Sequence, residues 1–113
     1  MQITGTLSFP PSGAPRRVDR VEVTVRDITE LGGPAATVAR VELPGLDVPP
    51  DGLNLPFSID VELEGNRTYA VRAHADRNGS RAVEVGDLVT TEAHVVPSGG
   101  DRTLIVPLHP VPG

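Results

Sequence analysis

The stretch "TYAVRAHAD", residues 68–76, alternates apolar and polar side chains with a period of two. One parity holds Tyr69, Val71, Ala73 and Ala75, and the other holds Ala70, Arg72, His74 and Asp76. Because successive side chains of a β-strand point to opposite sides, the pattern predicts a strand with one buried face. The polar row Arg72, His74 and Asp76 has two interpretations, a ligand-binding or catalytic row and a solvated face that keeps strands from sticking together. We expect the solvated face.

The same alternation extends outward in both directions. It recurs in "ITGTLSF" (3–9), "VEVTVRDI" (21–28), "PFSIDVEL" (56–63) and "RTLIVPL" (102–108), with a further strand expected in "GDLVTTEAHVV" (86–96). In "ATVARVEL" (36–43), Val38 is out of parity with Val41 and Leu43, which predicts a bulge or an edge irregularity. Segments rich in Gly, Pro, Asn and Asp separate these runs and supply turns.

These patterns predict an all-β fold with almost no helix. We expect one domain over residues 1–113, an antiparallel β-sandwich of about seven short strands. A small β-barrel is the alternative architecture.

Composition excludes several classes of function. The 113 residues contain no cysteine, so disulfides and thiolate metal sites are absent. The net charge of −5 and the three aromatic residues argue against a nucleic-acid surface, which needs a basic stripe and stacking rings. No apolar run approaches the ~20 residues of a membrane span. We expect a cytoplasmic protein as the chain stands, or a periplasmic or cell-envelope one if a leader was removed.

No catalytic or metal site is predicted. His74, His94 and His109 are far apart in sequence and form no His-x-His or HExxH spacing, so zinc is not expected. There is no G-x-S-x-G elbow and no phosphate-binding loop, and three aromatics do not line a sugar cleft. The acceptor-type sequences at Asn66 and Asn78 are interpreted as chance matches. We therefore expect neither enzymatic activity nor a cofactor.

The proline-rich segment, residues 44–56, carries four larger apolar side chains: Leu46, Val48, Leu53 and Leu55. One interpretation is a lid that closes an end of the sandwich on its own sheet. The other is a partner-binding loop beside an edge strand, where an extended peptide adds by backbone pairing. The second makes these four residues the candidate partner-binding site.

Three motifs carry a family resemblance over nearly the whole chain. They are V-x-V-x-V-x-D (Val21 to Asp27), the pair Pro56-Phe57 and Y-x-V-x-A (Tyr69, Val71, Ala73). In these motifs the sequence is similar to the YscW/YbaY-type family, which comprises pilotin-like lipoprotein chaperones of type III secretion and related lipoproteins. The resemblance implies a β-sandwich and, as in the best-known members, help in placing an outer-membrane secretion ring. Pilotins of this family carry a lipidated cysteine, and this sequence has none.

The expected function is a non-enzymatic protein-binding or assembly module that engages another protein through an edge strand or the proline-rich loop. One alternative is a structural accessory domain without a ligand. Another is a hydrolase or carbohydrate-binding role without a recognisable motif. The identity of the partner and the oligomeric state are not predicted.

Overall fold

Nine β-strands make up the computed structural model, which describes residues 2–11, 15–30, 35–97 and 103–112. They are β1 (Gln2–Phe9), β2 (Arg17–Asp27), β3 (Ala36–Asp47), β4 (Leu53–Asp60), β5 (Tyr69–Asp76), β6 (Leu88–Val89), β7 (His94–Val95), β8 (Thr103–Pro107) and β9 (His109–Pro110). The all-β expectation is confirmed. The strands exceed seven because the segment 86–96 divides into two short strands and β9 follows β8 after one residue. Within the described ranges, no helix has the length and apolar character needed to cross a membrane.

The smaller sheet has the order β4–β1–β8. Strand β1 is antiparallel to β4 but parallel to β8, so the expected antiparallel arrangement is wrong for this one pair. A parallel pair needs a crossover connection. The chain provides one here, because it passes through the larger sheet between β1 and β8.

The larger sheet has the order β3–β2–β5–β6–β9, and β7 also pairs with β5. All of its pairs are antiparallel. At its centre Val23 lies opposite Val41 on one side and Ala73 on the other, so the apolar parities of three strands coincide. This agreement of parities fixes the register.

The irregularity predicted near Val38 is present. Val25 pairs with Ala39 and Arg26 pairs with Thr37, which leaves Val38 as the extra residue of a β-bulge. Val38 is 43% exposed and contributes nothing to the buried core.

The core lies between the two sheets. Most of its apolar side chains fall on one parity of each principal strand, and in β2 Val18 is also buried on the other parity. The most deeply buried residues include Ile3, Leu7, Val21, Val23, Val25, Val71, Leu88 and Val106. Gly5 lies on this face at a position where there is no space for a side chain. A Cβ at Gly5 would lie 2.7 Å from the ring of Phe57, which covers it, and 2.5 Å from the carbonyl oxygen of Leu104.

The chain crosses between the sheets at both margins of the sandwich. Residues 48–52 join β3 to β4 at one margin, and Leu108 joins β8 to β9 at the other. The proline-rich segment is therefore mostly strand rather than loop. Pro44 lies within β3 and Pro56 within β4, and both are end strands, where a proline's missing N–H removes no ladder bond on the open side.

Candidate functional site

Two buried aspartates organise a polar cluster at the end of β5. Asp76 and Asp87 are both 0% exposed, and the side chain of His74 is 12% exposed. The expected solvated face is correct for Arg72, which is exposed, but wrong for His74 and Asp76. Burial comes from the irregular segment 77–87, which folds back over the end of the strand.

Asp76 holds this segment by accepting four hydrogen bonds. Its Oδ1 accepts from the backbone N–H groups of Asn78 (3.3 Å) and Gly79 (3.0 Å). Its Oδ2 accepts from the backbone N–H of Arg81 (2.7 Å) and from Nε of Arg20 (3.1 Å). Burial raises the pKa of Asp76, but these hydrogen bonds outweigh it and leave the pKa below its ordinary value.

Asp87 closes the same segment from its other end. Its Oδ1 accepts from the backbone N–H of Arg77 (3.0 Å), and its Oδ2 accepts from that of Glu84 (3.0 Å). The same Oδ2 lies 2.8 Å from Nε2 of His74. The two carboxylates thus satisfy backbone donors at both ends of an irregular segment that has few of its own ladder bonds.

The cluster has the composition of a metal site but not its open geometry. One ligand atom each from His74, Asp76 and Asp87 lies within 4.8 Å of the others. Every carboxylate oxygen, however, already accepts a hydrogen bond from a backbone N–H. Each oxygen of Asp76 accepts two hydrogen bonds, which use both of its lone pairs, and the arrangement acts as a clamp on the chain.

The three histidines do not converge. His94 lies opposite the core-facing Val71, which places it on the inner face of the sheet, whereas His74 is on the outer face beside Arg72. His109 pairs with Val89, and Val89 pairs with His74, so β6 lies between the strands of these two histidines. His109 is exposed.

The four residues proposed for the partner-binding loop lie around the turn between β3 and β4. Val48 is 6% exposed and belongs to the core. Leu46, Leu53 and Leu55 are half-buried and pack against the core from the two end strands. Their side chains therefore close the margin of the sandwich.

The backbone along this margin has no described strand paired to its outer side. Among the described strands, β3 pairs only with β2, and β4 pairs only with β1. We call this side of the sandwich the β3–β4 margin: strand β3, the turn 48–52 and strand β4. Half-buried apolar side chains follow it, namely Ala39, Val41, Leu43, Leu46, Leu53 and Leu55.

Comparison with known proteins gives one informative likeness. No model of a known protein family matches the sequence, and no curated protein matches it. Among solved structures, an alternative pilotin from the type II secretion system of Vibrio cholerae is similar, with a TM-score of 0.69 and 17% sequence identity. The likeness covers 100% of this chain and 98% of that one. The pilotin-like fold expected from the resemblance is therefore confirmed, while membership of the YscW/YbaY-type family stays a prediction. Over its whole length, the protein shares its fold with a pilotin of a bacterial secretion system.

Proposed function

We propose that the protein is a non-enzymatic binding module of the pilotin kind, whose partner is a subunit of a secretion apparatus. The partner binds at the β3–β4 margin. The fold likeness over the whole chain supports the class of function.

The open edge of β3 is the observation that carries the proposal. An end strand presents unpaired N–H and C=O groups, and an extended peptide adds to such an edge by backbone pairing. Strand β3 is 12 residues long and has no described neighbour on its outer side. This is the longest edge that the described sheets offer.

The sequence of β3 narrows the docking run to residues 39–43. The bulge at Val38 twists the strand on one side of this run, and Pro44 lacks the N–H needed for continuous pairing on the other. Within it, Ala39, Val41 and Leu43 are half-buried, whereas the intervening residues are exposed. The partner segment is therefore extended, about five residues long, and apolar at alternate positions.

The absence of catalysis is part of the proposal. It is supported by how the buried acids are used, because Asp76 and Asp87 are fully engaged by backbone donors. A general acid or base needs free access to a substrate proton.

Site-specific photo-crosslinking in cells that make the protein tests this function. A photoreactive amino acid replaces Val38 or Arg40 on β3, and matched controls replace Val83 or Ile105. The two controls are 57% and 73% exposed, more than Val38 at 43%, so exposure alone does not favour β3. We expect the β3 positions to give an adduct with one envelope protein, a subunit of an outer-membrane ring, and the controls to give none. Equal adducts at all four positions, or none at β3, would contradict the proposal.

A further inference from the structure

A concave site lies on the outer face of the larger sheet, beside the start of β3. It is a cavity of about 290 Å³ between β2, β5 and the segment that follows β6. Its floor is formed by Ala70, 2% exposed, and Thr90, 7% exposed. Arg26 and Arg72 line its sides.

These two arginines stand on neighbouring strands and on the same face. In the register of β2 and β5, Arg26 lies opposite Ala70 and Thr24 lies opposite Arg72, so the two are diagonal neighbours. Diagonal pairs have Cα atoms roughly 7 Å apart, which lets two guanidinium groups reach one ligand.

Neither arginine has an acidic partner among the described residues. Five other arginines form ion pairs, namely Arg17, Arg20, Arg40, Arg67 and Arg81. No described carboxylate lies within ion-pair distance of Arg26 or Arg72, and Nε of Arg26 is buried without a hydrogen-bond partner in the described structure. A buried donor left unpaired is costly. Because this Nε is shielded from solvent, a ligand in the cavity contacts the part of the Arg26 side chain that lines it rather than Nε.

The remaining lining selects the chemistry of the ligand. Ile28, Ala35, Ala70 and Ala93 give the cavity apolar surface. Glu92 lies on its exposed rim, and the chain carries a net charge of −5, so a multiply charged anion is repelled more than a singly charged one. Paired guanidinium groups match the planar, bidentate geometry of a carboxylate.

We propose that this cavity binds a single carboxylate carried on a small aliphatic group. Arg26 and Arg72 hold the two oxygens, and the alanine and isoleucine side chains contact the aliphatic part. Two sources supply this chemistry, a free aliphatic acid and the C-terminus of a polypeptide that ends in an apolar residue. The inference is independent of the proposed function, because it concerns a different face of the molecule.

Titration by NMR tests the proposal on the intact protein. The probes are 4-methylpentanoate, N-acetyl-alanyl-leucine with a free carboxylate, N-acetyl-alanyl-leucinamide, and inorganic phosphate. We expect both carboxylate probes to shift the side-chain Nε–Hε signals of Arg26 and Arg72, with a dissociation constant on the order of 1 mM. Tighter binding of the peptide identifies a chain terminus as the source, and equal or tighter binding of 4-methylpentanoate identifies a free acid. Binding by the amide or phosphate as tight as that of the carboxylates would overturn the proposal, as would the absence of any shift.

Variants separate a ligand site from a structural role. Arg72→Gln and Arg26→Gln are each expected to weaken carboxylate binding about tenfold, the effect of losing one charge-assisted hydrogen bond. Arg17→Gln, at the other end of β2 from Arg26 and paired with Asp47, is expected to leave binding unchanged. Glu92→Gln should tighten carboxylate binding.

Arg26→Gln should keep or raise the unfolding midpoint, since it removes a buried donor without a partner. Unchanged binding in Arg72→Gln, or a large loss of stability in Arg26→Gln, would contradict the assignment.

Discussion

At the scale of single residues, Asp76 is the buried acceptor that holds the segment 77–87 to the end of β5. Replacing it with asparagine keeps the volume but removes the charge and one of the two acceptor oxygens, so two of the four hydrogen bonds are lost. With the amide oxygen at the Oδ1 position, these are the bonds from Nε of Arg20 and from the backbone N–H of Arg81. We expect Asp76→Asn to lower the free energy of unfolding by about 3 kcal/mol, because a buried backbone donor loses its acceptor and Arg20, which keeps Glu42 as a partner, loses one charge-assisted hydrogen bond. Urea denaturation measures the change.

Asp47→Asn provides the matched control for that experiment. Asp47 also faces an arginine, Arg17, but its side chain is 86% exposed. We expect a loss within about 0.5 kcal/mol, because surface ion pairs contribute little. Equal losses in the two variants would show that Asp76 is not the clamp described above.

Asp27 gives the fold a dependence on pH. Hydrogen bonds from the hydroxyl and the backbone N–H of Thr29, and then from Arg67, lower the pKa of Asp27 to about 2. Because this pKa lies below the ordinary value of about 3.9, the ionised group stabilises the fold above pH 4 and loses that effect as the pH falls toward 2.

Carboxyl ¹³C NMR is expected to show Asp27 titrating near pH 2. Thermal unfolding should show Asp27→Asn less stable than the native protein at pH 7, with the difference shrinking as the pH approaches 2. Asp51→Asn, at an exposed turn position, should show no such difference. Titration of Asp27 at its ordinary value would be inconsistent with these hydrogen bonds.

The burial of His74 and Asp76 could not be predicted from alternation. The period of two placed both residues correctly on the polar parity, but it gives no information about what covers that parity. The cover is the segment 77–87, whose path depends on hydrogen bonds made across the fold. One local signal exists, because an aspartate followed by Asn78-Gly79 is typical of a side-chain-capped turn.

At the scale of elements, the turn between β3 and β4 depends on Gly52. Its φ is +88°, and an added Cβ would lie 2.6 Å from the carbonyl oxygen of Phe9. We expect Gly52→Ala to destabilise the protein by about 1–2 kcal/mol, because both the backbone conformation and the space disfavour a side chain. Chemical denaturation measures the loss.

Gly65→Ala is the control at a second connection. A Cβ there meets nothing within 4 Å, so we expect a change within about 0.5 kcal/mol, and of either sign. If Gly52→Ala were equally neutral, the path of the turn from β3 to β4 would be wrong.

Apolar and polar side chains alternate along most of β1, β2, β4 and β5, which is why these four strands were predictable. The segment 44–56 was misinterpreted as a loop, since its prolines are turn signals in isolation. Pro44 and Pro56 both lie in end strands, where proline is tolerated. Local sequence does not reveal which strands lie at the end of a sheet. For the same reason the parallel pairing of β1 with β8 could not be predicted.

At the scale of the whole molecule, the candidate sites are products of topology. The β3–β4 margin exists because two end strands lie on either side of one turn, and the arginine cavity exists because β2 and β5 are neighbours. The family resemblance predicted the pilotin-like fold that the structural likeness confirms. The residue pattern selected Leu46, Val48, Leu53 and Leu55, of which Val48 lies in the core and the other three pack against it from the margin. The sequence did not reveal that β2 pairs with β5, which places Arg26 beside Arg72.

An unpaired outer edge on β3 is the physical basis of the proposed function. Amide hydrogen exchange of the free protein, followed residue by residue by NMR, tests it most directly. In an antiparallel end strand only alternate N–H groups point toward the neighbour. We predict that alternate amides of residues 39–43 exchange rapidly, while those of residues 20–27 in β2 and 70–75 in β5, which have partners on both sides, are protected. Continuous protection along residues 39–43 would mean that this edge is already covered, and would contradict the account.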